Sequence, residues 1–486
     1  LQWAYYGQNE FYDIELAVPY NGWNDDPVPW SNWMDYERLE NWNGNYAKEY
    51  DYLDDMLLTW YGSVIKYKLA EPADGGQHIW ETTTTPPYNH YPPDPTYFYR
   101  FQSLRSDFFT DESVRGIVSN KISDITRPST KEWGASNFTP NAPKTHIAIL
   151  NMQRENNGEY MSMTVKYNYW EGEIDKPVST MVGDVIIANE VTLPAGRTLN
   201  IEPNTTLTFN QGAKLTIYGT LNVNGGEVII PLNGIIEFKA GAGINFNNNS
   251  RLTVNGTVIS AGTALNKVVF DFVQPSQSDP TNGITINPSG IINFNYSTIK
   301  NAYCGILLNQ VPSTNAPFIN YCAFQDNNYG IMAYDTDYEI SEVYGARIFC
   351  SHFEDNYIGI LLNESSPLVT TNTFINNGYG VYCANQSGAF FGEYLEPGVN
   401  TFDGNYDAFY SNYSSPVLGI SLSPYEYVAG YNYFNYTISS NVYAEDNSEI
   451  YAELNWWGAD PPDLDLFIED DSRVYWDCWL SSQNRP

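Results

Sequence analysis

Basic residues are scarce. The 486-residue chain carries 23 Lys and Arg against 57 Asp and Glu, a formal charge of −34. A field of that sign repels phosphate backbones and anionic headgroups, so nucleic acid is not an expected partner. Between Asn301 and Ser472 the one Lys or Arg is Arg347. Long apolar runs are missing too. A membrane-crossing helix needs about 18–20 consecutive apolar residues, so no membrane insertion is expected. Cysteine is limited to Cys304, Cys322, Cys350, Cys383 and Cys478, too few and too scattered for a disulfide scaffold, and no Cys-x-x-Cys occurs. Histidine is limited to His78, His90, His146 and His352. None of these pairs has zinc-helix spacing, and His-Glu-x-x-His is absent, which excludes a zinc peptidase built on that motif.

What is present is aromatic and turn-rich. Aromatics make up 16% of the chain, with 40 Tyr and 13 Trp, too many for a disordered acidic chain. Charged residues are also 16%, below the usual ~25%, so Asn, Ser, Thr and Tyr must supply much of the polar surface. The first hundred residues hold 23 aromatics, among them Trp3, Trp23, Trp30, Trp33, Trp42, Trp60 and Trp80. Asp51–Tyr67 is a short helix or strand candidate, and Thr82–Pro95 reads as a Pro-rich extended loop. Residues 145–169 read as a hairpin around Asn156-Asn157-Gly158. Residues 1–170 are therefore expected to form an aromatic-rich, mostly β domain. Its aromatics suit sugar stacking, protein contacts or an ordinary core, and the sequence does not choose among these.

From about residue 178 short alternating strands follow one another, with turn residues every 8–12 positions. Four segments then align: STIKNAYCGILL, AFQDNNYGIMA, HFEDNYIGILL and TFINNGYGVYC. In each, an apolar anchor precedes a Gly by six residues: Ile299/Gly305, Phe324/Gly330, Phe353/Gly359 and Phe374/Gly380. Phe402/Ala408 keeps the spacing without the Gly. A period of 20–30 residues with one β unit per copy marks a solenoid. Stacked coils would bury a stripe of Phe, Ile, Leu and Val. Asn301, Asn327, Asn356, Asn377 and Asn405 would then form an amide ladder. The Gly suits a positive φ or a close approach.

On these residues the stretch from about 178 to 480, within an expected β-helix domain of residues 171–486 with a C-terminal cap, resembles a right-handed parallel β-helix of the pectin-lyase-like superfamily. GDVIIANEVTLPAGRTLNIEPNTTLTF is similar to the first coils of secreted bacterial β-helices, and LNWWGADPPDLDLFIEDDSRVYWDCWL to their closing cap. A more diffuse resemblance links residues 108–166 to the segment after the catalytic domain of immune-inhibitor-A-type metallopeptidases. The fold class implied is all-β: a parallel β-helix solenoid preceded by the aromatic-rich domain.

The chemistry is faint. The superfamily's lyases use basic residues, which residues 301–472 nearly lack. Glycoside hydrolysis needs carboxylates about 5–10 Å apart. Asp326 and Asp355 sit four residues before successive repeat glycines, and Asp403 lies near the equivalent turn, so these three are the catalytic candidates. Asn301 and Asn376 occupy the same turn position, which equally makes the acids structural. Asp335, Asp337 and Glu339, with Glu342 nearby, form an acidic loop able to offer oxygen ligands to Ca2+. Glu469–Asp471 and Asp25–Asp26 are similar. Cys322 and Cys350 are one residue out of step and read as facing thiols or buried free ones. Leu1 follows no leader, so the chain reads as a processed piece of a larger secreted precursor. The expectation is a non-catalytic extracellular or cell-surface protein, structural or adhesive, that assembles head to tail with copies of itself. A polysaccharide hydrolase or a carbohydrate-binding adhesin on the β-helix face is the alternative, with glycans as partners.

Overall fold

The computed structural model describes residues 144–155, 160–272, 282–315, 317–336, 338–339, 344–392, 397–423, 426–428, 430–476 and 478–481. Residues 1–143, with Asp51–Tyr67 and Thr82–Pro95, lie outside these, as does most of the 108–166 segment. The chain divides into two units, Leu1–Tyr169 and Trp170–Pro486. In the first, Ile147–Glu155 pairs antiparallel with Tyr160–Tyr167, with a register shift between Leu150 and Gln153.

The second unit is a parallel β-solenoid of about ten turns. Its coils are built on three faces. Face 1 runs through Val178–Met181, Thr198–Ile201, Thr220–Val223, Gly243–Phe246, Val268–Phe272, Ser297–Lys300, Ala323–Gln325, His352–Glu354 and Thr373–Ile375. Face 2 includes Cys304–Asn309, Tyr329–Tyr334, Ile358–Asn363 and Tyr379–Ala384. The long strands Thr401–Asn412 and Tyr433–Glu445 span faces 1 and 2 together. Face 3 includes Lys214–Ile217, Ile235–Lys239, Thr257–Ala261, Ile291–Asn295, Phe318–Asn320, Arg347–Phe349 and Leu368–Thr370. Alternate residues point inward, so strands such as Thr220–Val223 alternate partly exposed with buried.

The interior of face 1 is a column of rings. Phe324, Phe353, Phe374, Phe402 and Phe434 pair in register coil on coil, with centroids 4.9, 4.9, 4.8 and 4.7 Å apart and planes within 10° of parallel. Trp457 adds a further ring at 4.4 Å. The repeat glycines serve this column. None of Gly305, Gly330, Gly359 and Gly380 has a positive φ. A Cβ on Gly330 would sit 2.9 Å from Phe353 Cδ1 and 2.5 Å from the Gly359 carbonyl oxygen. Close approach, not backbone freedom, is why glycine recurs there.

Each coil turns three corners by one device, which is most regular from residue 296 onward. A residue at positive φ bends the chain, and the next side chain points inward and is polar in most coils, with Ala302 and Val311 the exceptions at the start of two rows. At the corner from face 1 to face 2 the bend residues are Asn301, Asp326, Asp355, Asn376 and Gly404, with φ of 64°, 57°, 57°, 55° and 71°. The inward residues that follow are Ala302, Asn327, Asn356, Asn377 and Asn405. The amides of the four asparagines form a buried ladder, with Nδ2 to Oδ1 distances of 3.0, 2.9 and 2.9 Å, and the Ala302 backbone N–H donates to Asn327 Oδ1. Asn377 is fully used. Its Oδ1 accepts from the Asn356 backbone N–H and Nδ2, and its Nδ2 donates to the Phe353 carbonyl and Asn405 Oδ1. Asn301 is not a rung, contrary to the sequence expectation. It is a bend residue whose Nδ2 donates to Asp271 Oδ1 at 2.7 Å.

The corner from face 3 to face 1 holds a second ladder. Asn372, Asn400, Asn432 and Asn455 are linked at 3.1, 2.8 and 3.0 Å. Ser351 and Cys322 continue it: Cys322 N–H donates to Ser351 Oγ, and Ser351 N–H to Asn372 Oδ1. Its bend residues include Thr371 and Val399, β-branched side chains at φ 58° and 48°. Such residues cost about 1–3 kcal/mol in that region and persist only where the surroundings over-determine them. The third corner is a hydroxyl ladder. Backbone N–H groups of Val311, Thr336, Ser365, Ser387, Ser414 and Ser448 donate to the hydroxyl of the equivalent residue one coil on.

Two substitutions separate rung from bend. Asn377→Ala orphans buried donors and acceptors at about 1–3 kcal/mol for each group left unpaired, so a large drop in urea midpoint is expected. Asn376→Gly keeps the bend and is expected to leave the midpoint nearly unchanged. Gly330→Ala is expected to cost about 1–3 kcal/mol through overpacking against Phe353, read as a lowered thermal midpoint.

Candidate functional site

The corner rule places the sequence candidates. Asp326 and Asp355 share one corner on successive coils, as expected, and both are exposed bend residues. Asn301, Asn376 and Gly404 fill the same role in neighbouring coils, so the acid is one of several residues that tolerate this conformation. Asp403 is not in their row. It pairs with Ile375 within face 1, one residue before the bend. Asp335 is a bend residue at the third corner, and Gln310 Nε2 donates to its Oδ2 at 3.3 Å. Asp337 and Glu342 lie outside the described residues. Glu339 belongs to the short strand Tyr338–Glu339. Among the described residues no group of three His, Cys, Asp or Glu is arranged to hold a metal ion. Asp25 and Asp26 are not described. Glu469 and Asp470 lie on the last face-2 strand, and Asp471 is the bend beyond it.

All five cysteines are free. Cys322 points inward, where burial raises its thiol pKa to about 11. Cys350 is the bend residue beside Ser351, at φ 51°. The one-residue offset therefore puts the two sulfurs in different rows, which removes the facing-thiol reading. His352 lies 3.6 Å from Glu354 on face 1.

The structure also assembles a feature that the sequence reading passed over. Every copy carries a tyrosine one or two residues before its Gly or Ala: Tyr303, Tyr329, Tyr357, Tyr379 and Tyr406. Backbone pairing shows two adjacent rows. Tyr303, Asn328, Tyr357, Gly378 and Tyr406 form one row, and Cys304, Tyr329, Ile358, Tyr379 and Asp407 the other. The tyrosine alternates between them, so five consecutive coils each present one ring at the mouth of face 2. Where the ring sits in the second row, the first row holds Asn328 or Gly378. A Cβ on Gly378 would lie 2.6 Å from the Tyr357 carbonyl oxygen and 3.6 Å from its ring.

Further along face 2, Tyr382, Tyr410 and Tyr443 stand in register on successive coils. Tyr410 stacks on Tyr443 at 4.8 Å and meets Tyr379 edge-on at 5.3 Å. Tyr357 meets Tyr379 edge-on at 5.9 Å. Tyr357 and Tyr406 are the open members, 59% and 53% exposed. Two carboxylates lie among these rings, and both are engaged. Asp407 is buried and accepts from Ser440 Oγ at 2.7 Å. Glu445 Oε1 accepts from Tyr410 Oη at 2.6 Å and Asn412 Nδ2 at 2.7 Å.

Partial burial raises the phenol pKa of five tyrosines on this face. Tyr329 is pushed up to about 12, chiefly by burial and then by Tyr303. Tyr334, Tyr379 and Tyr382 move the same way, with burial the largest cause. Tyr410 moves further, through burial and its hydrogen bond to Glu445. These five hydroxyls stay neutral at physiological pH. A folded pKa above the unfolded value of about 10 stabilises the fold at lower pH, and that contribution disappears as pH rises through the folded values. Ultraviolet titration is expected to show a class of tyrosines that ionises later than a free phenol, released together with alkaline unfolding. Tyr410→Phe is expected to remove one member of that class. No family model, curated protein or solved structure matches this chain.

Proposed function

We propose that the chain is a non-catalytic adhesive protein of the extracellular or cell-surface kind, with the solenoid as a rigid column and face 2 as its contact surface. The observation that carries this reading is the run of tyrosines on five consecutive coils. Rings with two rotatable bonds present contact area at small entropic cost, and their hydroxyls give direction. The likeness of residues 183–209 and 454–480 to secreted bacterial pectin-lyase-like β-helices supports the location and a right-handed coil.

A purely structural role through end-to-end growth has less support. The last rung's strands, Phe467–Asp470 and Arg473–Tyr475, each pair with the preceding coil. They carry Glu469, Asp470 and Arg473, charges of the kind that blunt an exposed edge. A hydrolase on the Asp326/Asp355 row also has less support, because both acids do the same bending job as Asn301, Asn376 and Gly404.

The test uses the full chain coupled to beads. Retention on intact cell surfaces or extracted extracellular glycans is expected, with no new reducing ends released from those glycans on prolonged incubation. Release of reducing ends that disappears in Asp326→Asn or Asp355→Asn would overturn the non-catalytic reading. Failure to adhere to any surface would overturn the adhesive one.

A further inference from the structure

Face 2 constrains what can lie on it. The five-coil tyrosine column advances by one strand spacing of ~4.8 Å per coil, so its four steps make a track of about 20 Å. It is narrow, since the tyrosine alternates between two adjacent rows. A long, narrow, periodic surface fits a linear, periodic ligand better than a compact small molecule.

Charge selects further. Arg347 is the one Lys or Arg between Asn301 and Ser472, and it lies on face 3 with its guanidinium 5.7 Å from the Phe349 ring centroid. Lys300, just before the first coil's corner, is paired with Asp271 at 2.8 Å, so among the described residues the column offers an anion no unpaired Lys or Arg, and the net charge of −34 repels one. The carboxylates among the rings are engaged, while the exposed Asp326 and Asp355 lie at the corner beside the column and add to the repulsion of anions. Asp407 is occupied by Ser440, and Glu445 by Tyr410 and Asn412. What remains is ring surface bordered by amide and hydroxyl groups. Asn309, Asn363 and Asn412 stand in register on the far side of face 2, with Tyr334 and Ala384 in the coils between. Ring faces and edges take the C–H surfaces of pyranose rings, and amides and phenols take their hydroxyls.

We propose that the column of Tyr303, Tyr329, Tyr357, Tyr379 and Tyr406 binds an uncharged, extended polysaccharide laid along the solenoid axis. The proposal rests on the adhesive reading and names its ligand class. Tyr357 and Tyr406 are the principal contacts because they are the most open, and Tyr303, Tyr329 and Tyr379 fill the track between and beside them.

Native affinity electrophoresis of the full chain tests this, with gels containing hydroxyethyl cellulose, polygalacturonate or chitosan. The expected result is retardation in the neutral gel and none in the polygalacturonate gel. In Tyr357→Ala/Tyr406→Ala the apparent affinity for the neutral polymer is expected to fall about tenfold or more, from two lost ring contacts. Both side chains are more than half exposed, so the variant is expected to keep the wild-type thermal midpoint. Tyr436→Ala, a 61% exposed tyrosine in register with Asp403 on face 1, is the control and is expected to bind as wild type.

Retardation in chitosan alone would overturn the proposal in favour of binding by net charge. Neutral-gel retardation unchanged in the double variant would overturn the column as the site. No retardation in any gel, with the beads still adhering to cells, would overturn the ligand class and leave the adhesive reading standing, with a protein partner in the glycan's place. Loss of both would remove the adhesive reading as well.

Discussion

A coil that bends inside a dry column turns backbone groups away from their strand partners at each bend, and buried polar groups need new ones. The solenoid meets this constraint at all three corners with groups from the neighbouring coil. A residue at positive φ makes the bend, and the next residue sends an amide or hydroxyl inward to the backbone of the adjacent coil. Asn327–Asn405, Asn372–Asn455 and Thr336–Ser472 are three versions of one solution. Because each rung is completed by the next, no coil is satisfied alone. Stability is then a nearest-neighbour property, as expected of solenoids. The bend residues reveal the strength of this coupling. Thr371, Val399 and Leu454 adopt a conformation their side chains disfavour, and Asn372, Asn400 and Asn455 immediately follow them.

The apolar interior obeys the same spacing. Phenylalanines stacked at 4.7–4.9 Å use the strand separation as their own van der Waals distance. That leaves no room for a Cβ beside the ring, and so fixes Gly330, Gly359 and Gly380. Ala408 breaks the rule in a coil whose pairing with the next shifts register between Asn405 and Asp407. The strand Tyr433–Glu445 is also longer by one residue between its ring Phe434 and its face-2 residue Val442 than Thr401–Asn412 is between Phe402 and Phe409. The extra residue coincides with Thr437 Oγ1 bonding Asn441 Oδ1 where the earlier coils carry a ladder asparagine.

Much of this was legible in the residues. The Phe-to-Gly spacing predicted the coils, and the Asn-rich turns predicted a ladder, because both signals are local and recur in every copy. The register of the ladder was harder to read. In Asn-Asn and Asp-Asn pairs the first residue bends and the second buries its amide, and adjacency alone does not say which does which. Asn301 looked like a rung because it is the one asparagine of its turn, with Ala302 in the inward position, and the same one-residue uncertainty made Cys322 and Cys350 candidates to face each other. The face-3-to-face-1 ladder was hidden for another reason. Its residues follow Tyr, Cys, Thr, Val and Leu, which carry no turn signal, so the bend there comes from coil stacking and not from local propensity. The hydroxyl ladder was hidden similarly, because isolated Ser and Thr are common on any surface. The tyrosine column was in plain view, but its alternation between one and two residues before the Gly blurs any strict alignment. Only the backbone pairing shows the two positions to be neighbouring rows of one face.

The same construction that holds the column together also decides what its outside can offer. A solenoid whose corners are spent on internal ladders has little freedom to bring distant residues into a cleft, since each side chain's neighbours are its equivalents one coil above and below. Functional groups on such a frame repeat instead of converging. Repetition suits recognition of a repeating partner, where many weak, similar contacts add along a line. Acid–base chemistry instead needs unlike groups at one point with separated pKa values. On face 2 the groups that repeat are phenols, and Asp407 and Glu445 among them are tied to Ser440 and Tyr410. What the surface repeats along its length is aromatic ring surface and hydrogen-bonding groups, not a convergent set of acids and bases.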